Sequence, residues 1–142
     1  MDPIGNFGRA NVSDANGGSF VDSWAAEEIT LSTSGLTTDS TANLLPANAI
    51  IQAVTARVTT TITTTTDWKV GDATIAGRFS GANSTLTSGT TSVGLVHIDQ
   101  TGTSGPRQTS AAKVRITCTG SNPGAGKIRV TVFYRQFIPP TS

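Results

Sequence analysis

The stretch PANAIIQAVTARVTTTITTTT, Pro46 to Thr66, decides the fold. Ile50, Val54, Ala56, Val58 and Ile62 fall on even positions, and Thr55, Arg57, Thr59, Thr61 and Thr63 on odd ones. Apolar residues at a period of two mark a strand with one buried and one wet face. A helix competes over the first half, because Ile50, Val54 and Val58 also form an i, i+4, i+8 stripe and Pro46 can open a helix. The run of Thr and Ile after Arg57 decides between them. β-branched side chains are stiff at χ1 and suit a pleated surface better than a helix. A strand from Asn48 to Thr63 would extend about 50 Å at roughly 3.3 Å per residue. That is too long to stay flat, so a bend or bulge is expected near Thr59 to Thr61.

The flanking sequence repeats the pattern. Glu27 to Ser34 reads as a short strand with Ile29 and Leu31 on one face, and Asp67 to Asp72 as a strand with Trp68 and Val70 on one face and a Gly71-Asp72 turn. Ala73 to Phe79 continues as a short strand or turn, and Val93 to Asp99 is a further strand. Ser80 to Ser92 and Thr101 to Ser110 are polar loops. Ala112 to Thr119 puts Val114, Ile116 and Cys118 on one face; Lys127 to Phe137 puts Ile128, Val130, Val132 and Tyr134 on one face. GSNPGAG lies between these two strands, so they are expected to form a β-hairpin. About six to eight strands with Gly-rich loops give an all-β fold, an antiparallel β-sandwich or jelly roll.

The chain has 142 residues, which fits one domain. A chain of that size buries roughly 68–70% of its unfolded surface and needs neither disulfide nor metal to hold a core. Its single cysteine, Cys118, allows no disulfide within the chain and faces the core as a hydrophobe. Only 13% of residues are charged and the net charge is +1, which argues against nucleic-acid binding through bulk charge. The N-terminus lacks a basic segment followed by an apolar run, so no signal peptide is expected. No apolar run approaches the roughly 18–20 residues that span a bilayer. Synthesis as a soluble species in a cytoplasm is the expectation.

Residues 1–25 differ from the rest. Gly, Asn, Ser and Asp dominate, with Ile4, Phe7, Val12, Phe20 and Trp24 scattered through them. One reading is an extended N-terminal arm, 1–25, attached to a β-sandwich domain, 26–142, with Ile4, Phe7, Phe20 and Trp24 as partner-binding anchors. Each such side chain contributes about 1.5–3 kcal/mol when fully buried. The other reading is an edge strand or loop folded back on its own domain.

Catalytic chemistry finds little support. His97 is the only histidine and sits in a strand between Val96 and Ile98, opposite them in alternation. One His and one Cys make no case for a dyad. Glu27 and Glu28 are adjacent and point to opposite faces. Gly120 to Lys127 departs from a phosphate loop, with Ser121 and Ile128 where that motif needs Gly and a hydroxyl, and with a strand following. His and Cys clusters that would hold a transition metal are missing. Asp67 and Asp72 flank one turn and are the only weak suggestion of a Ca²⁺ ligand pair. No catalytic residue, cofactor or metal is assigned. If the last two strands pair, Lys113, Arg115, Lys127 and Arg129 project from one side. That basic face is either a solvated outer sheet surface or an interface with an acidic partner or neighbouring subunit.

From Leu44 onward the chain resembles a β-sandwich module of tailed-bacteriophage virion proteins. The resemblance is carried by LLPANAIIQAVTARVTTTI at Leu44 to Ile62, and by Trp68 before the Val70-Gly71-Asp72 turn. GRF at Gly77 to Phe79 and AAKVRITCTG…GKIRVTVFY at Ala111 to Tyr134 complete it. Residues 1–25 have no counterpart in it. The resemblance implies a non-enzymatic structural virion protein. With the arm, it points to a capsid decoration, or cement, protein on the head surface. Such a protein clamps neighbouring major capsid protein subunits, as a homotrimer at local threefold positions. The alternative is a tail or fibre-associated receptor-binding module recognising host surface glycans. The loops Ser80 to Ser92 and Thr101 to Ser110 contain no aromatic residue, which argues against that alternative.

Overall fold

The computed structural model describes residues 19–94 and 107–139. Ile4, Phe7, His97 and most of the Thr101 to Ser110 loop lie outside the described residues. The strands are β1 (Ser19–Thr30), β2 (Thr37–Asp39), β3 (Ala49–Thr60), β4 (Asp67–Gly71), β5 (Thr91–Gly94), β6 (Arg107–Gln108), β7 (Arg115–Thr119) and β8 (Lys127–Ile138). No helix occurs among the described residues. The fold is all-β, with two antiparallel sheets. A five-stranded sheet runs β1-β8-β3-β5, with β6 pairing the same edge of β3 further along; a three-stranded sheet runs β2-β7-β4.

One hydrophobic core lies between the sheets. From the larger sheet come Ile29, Ile51, Val54, Ala56, Val58, Ile128, Val130 and Val132; from the smaller come Trp68, Val70, Ile116 and Cys118. Leu44, Leu45, Ile62 and Phe79 close its ends from loops. Trp68 is fully buried, and its indole Nε1 donates to the Thr85 carbonyl at 3.1 Å, so the largest core side chain leaves no polar atom unmatched.

β3 alternates as expected from Val54 to Val58, but its first turn of pleat is inverted. Ala49 and Ile51 point inward and Ile50 is 39% exposed. An irregularity in the pairing with β8 between Ile51 and Ala53 supplies the extra residue that flips the parity. A second irregularity lies between Val58 and Thr60, beside the expected bend, and the strand ends at Thr60 rather than Thr63.

The expected hairpin between the last two strands does not form. β7 pairs β2 on one edge and β4 on the other, while β8 pairs β1 and β3. Neither strand has a free edge for the other, so they face each other across the core. The loop between them changes sheets and is fastened to residues 62–64. Thr63 N donates to Ala125 O at 3.1 Å, Gly124 N donates to Thr63 O at 3.0 Å, and Thr64 Oγ1 donates to Asn122 O at 2.5 Å. Gly126, at φ 147°, passes so close to Ile62 and Leu31 that a Cβ would sit 2.9 Å from the Ile62 side chain.

β1 starts at Ser19, so residues 19–25 of the segment read as an arm run in the sheet. Their register with β8 is unbroken from Ser19↔Ile138 to Thr30↔Lys127. The boundary expected at residues 25 and 26 falls inside this edge strand. The turn after β4 folds on a buried ion pair. Asp72 Oδ1 accepts from the Thr74 and Ile75 amides at 2.8 Å each, and Asp72 Oδ2 accepts from Arg78 Nη1 at 2.7 Å.

Candidate interaction face on the five-stranded sheet

β8 is the middle of the larger sheet and sets the chemistry of its outer face. Ile128, Val130 and Val132 are fully buried, so Lys127, Arg129, Thr131, Phe133, Arg135 and Phe137 point outward. Residues directly opposite on neighbouring strands share a face. On β1 these are Glu28 opposite Arg129, Trp24 opposite Phe133, Asp22 opposite Arg135 and Phe20 opposite Phe137. On β3 they are Arg57 opposite Arg129, Thr55 opposite Thr131, Ala53 opposite Phe133 and Ile50 opposite Arg135.

The face is therefore divided along β8. Its first half is basic and hydroxylated, and its second half is aromatic. Phe133, Phe137 and Ile50 are 38%, 43% and 39% exposed, respectively, and Phe20 and Trp24 are half-buried beside them. Along β8 the last core side chain is Val132, with Tyr134 packed against the core's margin, while β1 and β3 go on pairing with β8 as far as Ile138 and Gln136. An ion pair fixes this end. Arg135 donates from Nε to Asp22 Oδ1 at 2.7 Å and from Nη2 to Oδ2 at 2.8 Å, with its guanidinium 4.6 Å from the centre of the Phe20 ring. The hydrogen bonds from Arg135 hold the Asp22 carboxyl below the usual range.

Phe20 and Trp24, expected as arm anchors, thus lie on this face as part of the sheet. The four basic residues expected to share one face do not. Arg115 is on the three-stranded sheet, donating from Nε and Nη2 to Asp39 at 2.6 and 2.9 Å, with Lys113 exposed just before that strand. Lys127 and Arg129 are on the five-stranded sheet and share Glu28, at 3.8 and 3.7 Å. The cause is the sheet change between β7 and β8, which puts the outer faces of those strands on opposite sides of the sandwich.

The adjacent glutamates do diverge. Glu28 meets Lys127 and Arg129, whereas Glu27 accepts from Thr41 N, Thr41 Oγ1 and Ala42 N at 2.7, 2.9 and 3.0 Å. Burial alone would raise the Glu27 carboxyl, but these hydrogen bonds outweigh it and hold it below the usual value. Asp72 is committed to Arg78 and two amides, which leaves Asp67 without a carboxylate partner for an ion. Among the described residues no group of three or more His, Cys, Asp or Glu side chains could hold a metal. Burial pushes the Cys118 thiol up, which keeps it protonated in the core.

Sequence reading missed the outward Ile50, because the parity of β3 changes at the irregularity. It also missed the Arg57–Arg129 juxtaposition, which only the β3–β8 register creates. The outward Phe133 was legible, since alternation places it with Lys127 and Arg129.

No protein-family model and no curated protein matches this chain. Among solved structures, it is similar to a chain of the cyanophage Pam1 capsid asymmetric unit, at 24% sequence identity over 92% of both chains, with a TM-score of 0.49.

Proposed function

We propose that this chain is a non-enzymatic structural protein of a tailed-bacteriophage virion. In this reading it is a capsid decoration, or cement, protein that sits on the head surface and clamps neighbouring major capsid protein subunits. The observation that carries the reading is the aromatic half of the five-stranded sheet's outer face. Phe20, Trp24, Ile50, Phe133 and Phe137 gather on one side of paired strands. Aromatic residues on a fixed surface, bordered by charge, are the composition of a protein–protein interface core with a polar rim. A sheet face holds them in place before contact, so little side-chain entropy is lost on docking. The sequence resemblance from Leu44 to Tyr134 supplies the class of partner.

Residues 1–18 complete the proposal as an arm, with Ile4 and Phe7 as anchors. They join β1 at the aromatic end of the face, next to the Phe20–Phe137 pair. A homotrimer over a local threefold junction would present three such faces and three arms to the shell.

The test is copy number per purified virion, by quantitative mass spectrometry against the major shell protein. A copy number equal to the shell protein's, or a simple fraction of it, is expected. A few copies per particle would move the protein to the tail or a fibre, and absence from particles would overturn the virion reading.

A further inference from the structure

The basic half of the outer face carries a charge arrangement that the fold leaves unbalanced. Arg57 of β3 and Arg129 of β8 are direct cross-strand partners. Like charges placed so on one face of a sheet repel each other. The nearby Glu28 is divided between Arg129 at 3.7 Å and Lys127 at 3.8 Å. Arg57 makes no ion pair or hydrogen bond among the described residues. The neighbouring row is the outward pair Thr55 and Thr131, and Thr91 of β5 stands opposite Arg57 on its other side. A groove of about 360 Å³ runs here, lined on the outward rows by Thr55, Arg57, Thr91, Arg129 and Thr131, and also by Ala56 and its cross-strand partner Ser92.

We propose that this groove binds one phosphate group, either inorganic phosphate or a phosphate monoester on a larger ligand. Every polar side chain lining it can donate a hydrogen bond, and no carboxylate lines it. Two guanidiniums match the charge of about −1.5 to −2 that a phosphate carries near neutral pH, where a carboxylate carries one charge. The donors approach from the guanidinium row and from the hydroxyl row. That suits an anion with acceptors in several directions better than a planar one. Binding removes the repulsion between Arg57 and Arg129, so the site stabilises the sheet when filled. This inference is independent of the virion reading.

The experiment is a titration of the full chain with sodium phosphate, methyl phosphate and sodium acetate at constant ionic strength, followed by backbone amide NMR shifts and by Tm. Phosphate is expected to give a saturable shift centred on the Arg57–Arg129 and Thr55–Thr131 pairs, to raise Tm, and to bind more tightly as its second proton leaves, at about pH 6 for the monoester and about one unit higher for the inorganic ion. Arg57→Gln and Arg129→Gln are each expected to weaken binding about tenfold or more, while Lys69→Gln, the same charge change on the other sheet, leaves it unchanged. Methyl phosphate binding as tightly as inorganic phosphate assigns the site to a monoester. A preference for inorganic phosphate assigns it to the free ion. Absence of saturation, equal binding of acetate, or unaltered binding by a folded Arg57→Gln protein overturns the proposal.

Discussion

Arg78 and Asp72 face each other at 2.7 Å with side chains only 4% and 11% exposed, and the same Arg78 Nη1 also donates to Gln108 Oε1 of β6 at 2.9 Å. One guanidinium thereby ties the turn after β4, in the smaller sheet, to a short strand on the edge of the larger one. Its contact with the Phe79 ring, 4.9 Å from the centroid, seats the aromatic that closes the core. Removing one partner strands the other as a buried charge, which costs about 3–5 kcal/mol. Asp72→Asn, which keeps an acceptor for the Thr74 and Ile75 amides, is expected to lower the unfolding free energy by an amount in that range, read as a lower urea midpoint. Arg78→Met combined with Asp72→Asn is expected to lose less than the two single changes added together.

Acid is expected to destabilise the fold through three carboxylates. Hydrogen bonds from Arg135 and from Arg115 lower Asp22 and Asp39, and the Thr41 and Ala42 contacts lower Glu27 despite its burial. Each binds its proton less readily when folded. Its contribution is therefore fully present above the ordinary carboxylate values and is lost as pH falls through the lower folded value. Urea unfolding measured against pH is expected to be level from 7 to about 5 and to fall below about 4. Glu27→Gln is expected to flatten that acid limb and to lower stability at pH 7.

Gly71 ends β4 under the backbone of the following turn. A Cβ there would overlap the Ile75 and Ala76 carbonyls, to which the Asp72 amide and the Arg78 network are fitted. Gly71→Ala is expected to cost about 1–3 kcal/mol by overpacking, read as a lower Tm with loss of protection of the Asp72 and Arg78 amides in hydrogen exchange.

The truncation that tests the arm must stop at residue 18. Deleting 1–18 leaves β1 and its register intact and is expected to leave Tm unchanged while reducing occupancy on particles. Deleting to Trp24 also removes Phe20, the Asp22–Arg135 ion pair and half of β1, and is expected to lower Tm. Normal occupancy by the shorter truncation would refute an arm contact.

Phe133→Ser and Phe137→Ser remove exposed rings that the core does not use. Surface changes of this kind usually alter stability by no more than about 0.5 kcal/mol. Both variants are expected to fold as the parent does and to bind particles weakly, measured by co-sedimentation with stripped heads.

Where alternation along one strand was enough, the sequence was legible. Val54, Ala56 and Val58, Trp68 and Val70, and Ile128, Val130 and Val132 all face the core as their spacing requires. Pairing between strands was not legible. A period of two says which side of a strand is buried, but not whether its neighbour in sequence lies beside it or across the core. The turn-rich 120–126 segment suits either arrangement; β7 and β8 both have their edges taken by other strands, and the Thr63 and Thr64 contacts fasten the loop as it crosses. The same limit hid the outer face, since Phe20 and Phe137, or Arg57 and Arg129, meet only through register. Ile50 was misplaced because one irregularity at Gln52 reverses every orientation before it. The Asp72–Arg78 pair lay hidden in a loop with no periodicity.

The position of β8 between β1 and β3 has a consequence for synthesis. Both partners leave the ribosome first, and neither pairs with the other. The strand that joins them begins 67 residues after Thr60, a delay of about 3–13 s at roughly 5–20 residues per second. During that interval the emerging polypeptide exposes two long apolar β segments without a mate. Their open edges are then competent to capture a neighbouring chain on the same polysome. Thr and Arg along β3 and the acidic pair Glu27-Glu28 on β1 keep those waiting edges soluble until β8 arrives.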